Sequence, residues 1–186
     1  MGTLVYGLST SLDGYVTGPD GTIDWTVPDE ETSRFVNARE SRVGTYLLGR
    51  RMYETMRVWE DDSFLVGLPD FIVEYVPIWR AAEKVVYSTT LEDPGRPRTR
   101  VERRLDPDAV RALKESTTAD VGVAGAALAA GMLRAGLVDE LTLLVLPVVV
   151  GGGTRFLPAG LGLSLELTEV QRFGSGAVFL RYAIKG

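Results

Sequence analysis

The stretch "ADVGVAGAALAAGMLRAGLVDEL", residues 119–141, decides the fold class. It reads as a short apolar strand, a glycine at 125, and an alanine-rich helix that stops at another glycine. A strand handing over to a helix through one residue is the repeating unit of an α/β sheet. Gly125 is then either a tight turn or a point where a ligand's phosphates approach bare backbone.

Working outward, the same handover recurs at Gly49, between "TYLL" and "RRMYE". Both glycines leave free backbone N–H groups at a helix N-terminus, where an anion is favoured. A strand over residues 3–9 precedes them. A long loop over 11–25 follows it, punctuated by Gly14, Gly18, Pro19 and Gly21. Pro28 and Asp29 open a helix that runs to about Arg42, with Phe35, Val36 and Val43 as its apolar stripe. Residues 70–82 are mostly helical around Pro77, "KVVYS" is a third strand and "TRVERR" a fourth, and "PDAVRALKES" is a helix. After the opening stretch, "ELTLLVLPVV", "LSLELTEVQRF" and "AVFLRYAIK" are three more strands. Helices between the early strands imply parallel pairing, and consecutive late strands imply an antiparallel edge. The expectation is one α/β domain over residues 1–186, with a mixed sheet of about eight strands flanked by helices.

Two missing residue types narrow the chemistry. With no cysteine there is no disulfide, thiolate nucleophile or sulfur metal site. With no histidine there is no imidazole base, and a Ser-His-Asp triad is excluded. Acid–base work falls to Asp, Glu, Lys, Tyr or water. No metal site is expected. A net charge of −5 argues against a nucleic-acid footprint, and the basic run "RPRTRVERR" at 96–104 has the spacing of a solvated strand edge. The longest apolar run, "LTLLVLPVVV" at 141–150, is too short to cross a bilayer and is broken by Pro147. The first residues lack the basic start of a signal peptide, so a cytoplasmic protein is expected.

The segments "STSLDGYVTG", "YLLGRRMYE", "KVVYST" and "VGVAGAALAAGMLRAGLVDELTLLVLPVVVGGGTRFL", in this order, resemble the dihydrofolate reductase superfamily. Within it, the similarity is to the branch that contains the reductase domain of bifunctional riboflavin-biosynthesis deaminase/reductases. The resemblance implies hydride transfer from NADPH to a small heterocycle, pterin-like or ribosylaminopyrimidine-like. The alternative is a non-catalytic nucleotide or small-ligand binding protein on the same fold.

The resemblance also assigns residues. Gly49, Arg50 and Arg51 fall on the turn that holds cofactor phosphates, with Met52 where the motif usually has threonine. Ser88 and Thr89 match the position that meets the adenosine ribose. Ala124 and Gly125 match the paired glycines under the pyrophosphate, the first of them replaced by alanine, and Ala126 and Ala127 continue the site. In the family that turn carries a cis peptide bond, expected here between residues 124 and 125. Asp13 and Glu30 are the implied catalytic carboxylates, each with a plain structural alternative: an Asp-Gly turn and a helix-dipole acid. Ser11, Trp25, Gly152 and Thr154 complete the substrate side. A homodimer is expected, because the run at 141–150 is more apolar than one sheet face requires.

Overall fold

The computed structural model describes residues 1–27 and 29–186. Eight strands form a single sheet: β1 (Leu4–Ser11), β2 (Val43–Gly49), β3 (Glu83–Tyr87), β4 (Thr99–Glu102), β5 (Asp120–Ala124), β6 (Glu140–Leu146), β7 (Leu165–Arg172) and β8 (Val178–Ile184), in the spatial order β4-β3-β2-β5-β1-β6-β8-β7. The first six strands in that order pair in parallel, while β8 runs antiparallel to both β6 and β7. The division between a helix-connected parallel part and an antiparallel edge is the one that the sequence implies. The basic run at 96–104 spans β4, which is an edge strand.

The helices start where their capping residues place them. Helix α1 (Glu30–Glu40) is capped by Asp29, whose carboxylate accepts from Thr32 N at 2.9 Å. The expected start at Pro28 lies outside the described residues, and the helix ends two residues before Arg42. Helix α2 (Arg50–Met56) follows β2 directly and leads through a 3-10 turn (Arg57–Glu60) to α3 (Asp62–Leu65). Residues 70–82 divide into α4 (Asp70–Val73) and α5 (Tyr75–Ala81), with Pro77 in the first turn of α5, where its missing N–H is tolerated. Helix α6 (Pro107–Ser116) has Asp106 as its cap and proline at its start, and α7 (Ala126–Arg134) springs from Gly125. Strand β6 stops at Leu146 because Pro147 cannot donate to the ladder.

The sheet is packed on both faces. On one face Leu4, Tyr6, Leu47, Val85, Val121 and Val123 meet Val110 of α6 and Ala129, Met132 and Leu133 of α7. On the other, Tyr46, Leu48 and Val86 meet Tyr53 of α2 and Trp79 of α5. A third cluster of Phe173, Ala177 and Phe179 holds α1 through Phe35. Strand β6 lies between β1 and β8. Leu141 is buried, Leu143, Leu144, Val145 and Leu146 are half-buried, and Val149 beyond the strand is 65% exposed.

Asp139, in the turn before β6, ties four elements together. Its carboxylate accepts from Leu4 N (2.7 Å) and from the Lys114 ammonium (2.7 Å), its N–H donates to Leu4 O, and its carbonyl accepts from Ile184 N. Lys114 also donates to Leu137 O at 3.0 Å. Asp139→Asn keeps the shape but loses the charge at this junction of α6, β1, β6 and β8. It is expected to cost about 1.5–3 kcal/mol, the range for hydrogen bonds to charged groups. Urea unfolding, with an unchanged slope and a lower midpoint, measures it.

Candidate functional site

The carboxyl ends of β2, β3 and β5 form one edge, and their turns meet there. Gly125 has φ +105°, and a side chain on it would come within 3.5 Å of Gly49 N, so the two glycine turns lie against each other. The peptide between residues 124 and 125 is trans, contrary to the expectation drawn from the family; the positive φ of Gly125 turns the chain instead. The first-turn N–H groups of Ala126 and Ala127 have no acceptor within the helix. Arg50 and Arg51 stand exposed at the start of α2. Arg50 donates to Glu54 Oε1 (2.8 Å) and to the Thr90 hydroxyl. The buried Ser88 hydroxyl accepts from Thr90 N (3.2 Å) and Leu91 N (3.0 Å), which makes it the organiser of the turn after β3; Thr89 is exposed on that turn.

The predicted substrate-side residues divide between two places. Asp13, Ser11, Gly152 and Thr154 belong to a seam between the loop after β1 and the loop after β6. The Asp13 carboxylate accepts from Val150 N (3.2 Å) and Gly151 N (2.8 Å). A hydrogen bond from the Ser11 hydroxyl, aided by these two amides, holds Asp13 below the usual carboxylate range. Tyr15 N donates to Ser11 Oγ, Val16 N to Thr154 O, and Thr154 N to Thr17 Oγ1, while Gly152 rests on Pro19. Asp13 is thus an ionised clasp, not a free acid. Glu30 lies apart from the seam and from the cavities described below: it is exposed on the first turn of α1 and pairs with Arg34. The structural alternative accounts for its position.

Trp25 does line a cavity. A small pocket of about 260 Å³ is bounded by Ser9, Trp25, Asp29, Thr32, Leu144 and Pro147, among others. The Trp25 indole N–H is buried there with no acceptor among the described residues, an unmet donor of a kind that costs free energy unless a ligand or water accepts from it. Asp29 lines the same pocket. The Thr32 N–H holds its carboxyl below the usual range, so it faces the pocket as an acceptor.

A second cavity, of about 310 Å³, shares Ser9 and Leu144 with the first and extends between the sheet and helices α1 and α5. Its floor is the inward face of the two central strands: Val5, Gly7 and Ser9 from β1, Gly122 and Ala124 from β5. Glu40, Tyr46 and Tyr75 form part of its wall. None of these except Ala124 stood out in the sequence. The available signal was the alternation of large and small residues in "VYGLS" and "DVGVA", which places glycine, serine and alanine on one face of each strand.

Fold and site can now be set beside known proteins. The family model for the RibD C-terminal domain matches residues 3–179. The chain belongs to that family. That family is the reductase domain of RibD proteins. Among solved structures, the chain is similar to a putative riboflavin biosynthesis protein from Shewanella sp. PV-4, with 20% identity, a TM-score of 0.77 and 99% of each chain covered. It is similar to a Thermotoga maritima diaminohydroxyphosphoribosylaminopyrimidine deaminase/5-amino-6-(5-phosphoribosylamino)uracil reductase (14% identity, TM-score 0.65), with 99% of this chain and 57% of that one covered. It also matches Enterococcus faecalis dihydrofolate reductase, solved in complex with NADP(H) and RAB-propyl, at 13% identity and a TM-score of 0.64, over 99% of this chain and 97% of that one. The fold is therefore dihydrofolate reductase-like, and the family is that of the RibD C-terminal domain. No helix among the described residues is long and apolar enough to cross a membrane. No cluster of potential metal ligands occurs among them either.

The glycine triplet after β6 yields a graded test. A side chain on Gly153 (φ +114°) would sit 2.1 Å from Thr17 O and 2.5 Å from Gly18 O, both backbone atoms of the opposite loop. Gly151 (φ +74°) faces open space. Gly151→Ala is expected to cost only the left-handed backbone penalty of about 1–2 kcal/mol. Gly153→Ala adds a clash that no rotamer relieves, for about 2–4 kcal/mol in all. Thermal melting ranks them, with Gly153→Ala lower by about 5–10 °C than the parent. Equal melting points for the two variants would contradict the packing of the loops.

Proposed function

We propose that the protein is an NADPH-dependent reductase of a small heterocycle with a reducible C=N or C=O bond. One observation carries the reading beyond the family: Ala124 lines the larger cavity, and the next residue, Gly125, opens the helix whose N-terminus suits phosphate. A ligand anchored by its phosphates at that turn reaches the cavity directly. The fit to a dinucleotide rests on the paired glycine turns, the free amides of Ala126 and Ala127, and the exposed cations of Arg50 and Arg51. Ser88 and Thr89 lie at the neighbouring strand end, within the same edge.

NADPH supplies the hydride when bound. The chain's own tasks are to bind, orient and exclude water. The Trp25 indole N–H donates to an acceptor atom of the substrate, which relieves its unmet donor. Asp29, ionised at neutral pH, receives a substrate N–H and does not deliver a proton. Asp13 serves the reaction indirectly, by fixing through Val150 and Gly151 the loop whose Pro147 and Val148 line the pocket.

The deciding experiment is a titration with NADPH, followed by tryptophan quenching, together with oxidation assays against pterins, ribosylaminopyrimidines and simple carbonyls. Binding with turnover of at least one class supports the reading. Binding without turnover across the panel supports the non-catalytic alternative, and absence of binding overturns both. Gly125→Val should weaken NADPH by at least about 1.4 kcal/mol, tenfold in affinity, because its side chain occupies the turn. A purely structural glycine would instead lower the melting point and leave affinity unchanged in the folded fraction.

The reading includes a cytoplasmic homodimer, with its contact placed at the β7 edge. There Leu165, Leu167 and Val170 are 36%, 51% and 58% exposed on a strand with one unpaired side. Sedimentation should give twice the 20.2 kDa chain mass. Leu167→Glu combined with Val170→Glu should return the monomer. A monomeric parent at tens of micromolar refutes the dimer.

A further inference from the structure

The larger cavity contains an acid that nothing so far has used. Glu40, at the last turn of α1, is half-buried, and its Oε2 accepts from the Tyr46 hydroxyl at 2.6 Å. The Tyr75 hydroxyl stands 3.5 Å behind that of Tyr46. The hydrogen bond that Glu40 makes among the described residues engages Oε2 and not Oε1. The other charged residues lining the cavity are committed to ion pairs: Arg39 with Glu169, Arg42 with Asp120, and Arg181 with Glu140. Arg39 keeps its buried Nε without a partner despite that pairing, and among the described lining residues Glu40 is the carboxyl that belongs to no ion pair.

The space before it is built and maintained. Gly7 and Gly122 keep the floor low: a side chain at 7 would lie 2.2 Å from Thr142 Oγ1 and require that hydroxyl to move, and one at 122 would press on the Tyr46 ring at 3.0 Å. The same Tyr46 that would be displaced is the one that orients Glu40. The walls are otherwise apolar or aromatic, with Leu48, Met52, Trp79 and Phe179 among them. Such a cavity suits a flat ring, and a single carboxyl oxygen at its wall suits a hydrogen-bond donor on that ring.

We infer that Glu40 is the specificity-determining carboxyl of this protein, receiving the amino or amide N–H edge of a planar heterocycle that enters the larger cavity. That the heterocycle is the reduced substrate rests on the reductase reading; the binding itself does not. Burial raises the Glu40 carboxyl above its usual range, while the Tyr46 hydrogen bond acts in the opposite direction. A bound N–H donor adds to the effect of Tyr46. Neither Glu30 nor Asp13 can take this role, the first being outside the cavity and the second already filled by two amides.

The test uses two probes of the same shape, 2-aminoquinoline and 2-methylquinoline, which differ in one donor group. Calorimetric titration of the intact protein should give at least tenfold tighter binding of the amino compound. Glu40→Gln, which keeps the size of the side chain, should reduce that preference to less than threefold while NADPH affinity stays unchanged. In the unmodified protein, nuclear Overhauser contacts from the bound ring should reach the Tyr46 and Tyr75 side chains, a readout that needs no variant. Equal affinity of the two probes, absence of binding at millimolar concentration, contacts confined to other residues, or a preference that survives Glu40→Gln each overturns the assignment. NADPH turnover plays no part in these measurements, so failure of the reductase reading would appear separately, in the oxidation panel.

Discussion

The two central strands, β1 and β5, are buried on one face and line a cavity on the other, and each must satisfy these two surroundings with one alternating sequence. Tyr6, Val121 and Val123 fill the side covered by α6 and α7. Gly7, Ser9, Gly122 and Ala124 leave the opposite side low. Because successive side chains point to opposite faces, one pattern sets both the dense core and the open cavity. A shift of either strand by one residue would exchange them. The long-range pairing of Leu4 with Val121 and of Tyr6 with Val123 is thus what the rest of the molecule depends on.

The filled face also reaches the site. Tyr6 stacks on Phe156, with ring centroids 4.3 Å apart, and its hydroxyl donates to Phe156 O at 2.9 Å. Phe156 lies just beyond the glycine triplet, so the core anchors the end of the loop that Asp13 clasps at its start. Burial pushes the Tyr6 phenol far above its usual range, and it remains a neutral donor. Packing and site geometry are joined here through a single side chain.

Much of this was legible in the sequence, and the rest failed for identifiable reasons. Strand-to-helix handovers at Gly49 and Gly125, and the change from parallel to antiparallel pairing, follow from local pattern and from the spacing of helices. The positions of Glu30 and Asp13 do not. Whether Glu30 faces a pocket depends on where α1 docks, and its Arg34 partner is only one turn away. The amides that fill Asp13 come from residues 137 and 138 positions later, beyond any local signal. Glu40 was invisible for the same reason: its importance lies in the cavity before it, and the floor of that cavity comes from strands far apart in the chain. The family resemblance drew attention to the edge where the Gly49 and Gly125 turns meet, but it also implied a cis peptide where the chain has a trans one.

The seam between the loops after β1 and β6 ties residues 11–19 to residues 148–156 through the Asp13 clasp, the Tyr15–Arg155 bridge, the Val16–Thr154 bond and the close approach of Gly153 to Thr17. These loops are far apart in sequence yet form one interlocked piece. For anyone exchanging parts among members of the family, they are therefore a single module. A graft of either loop alone would bring a mismatched half, whereas the two transferred together carry their own fastening.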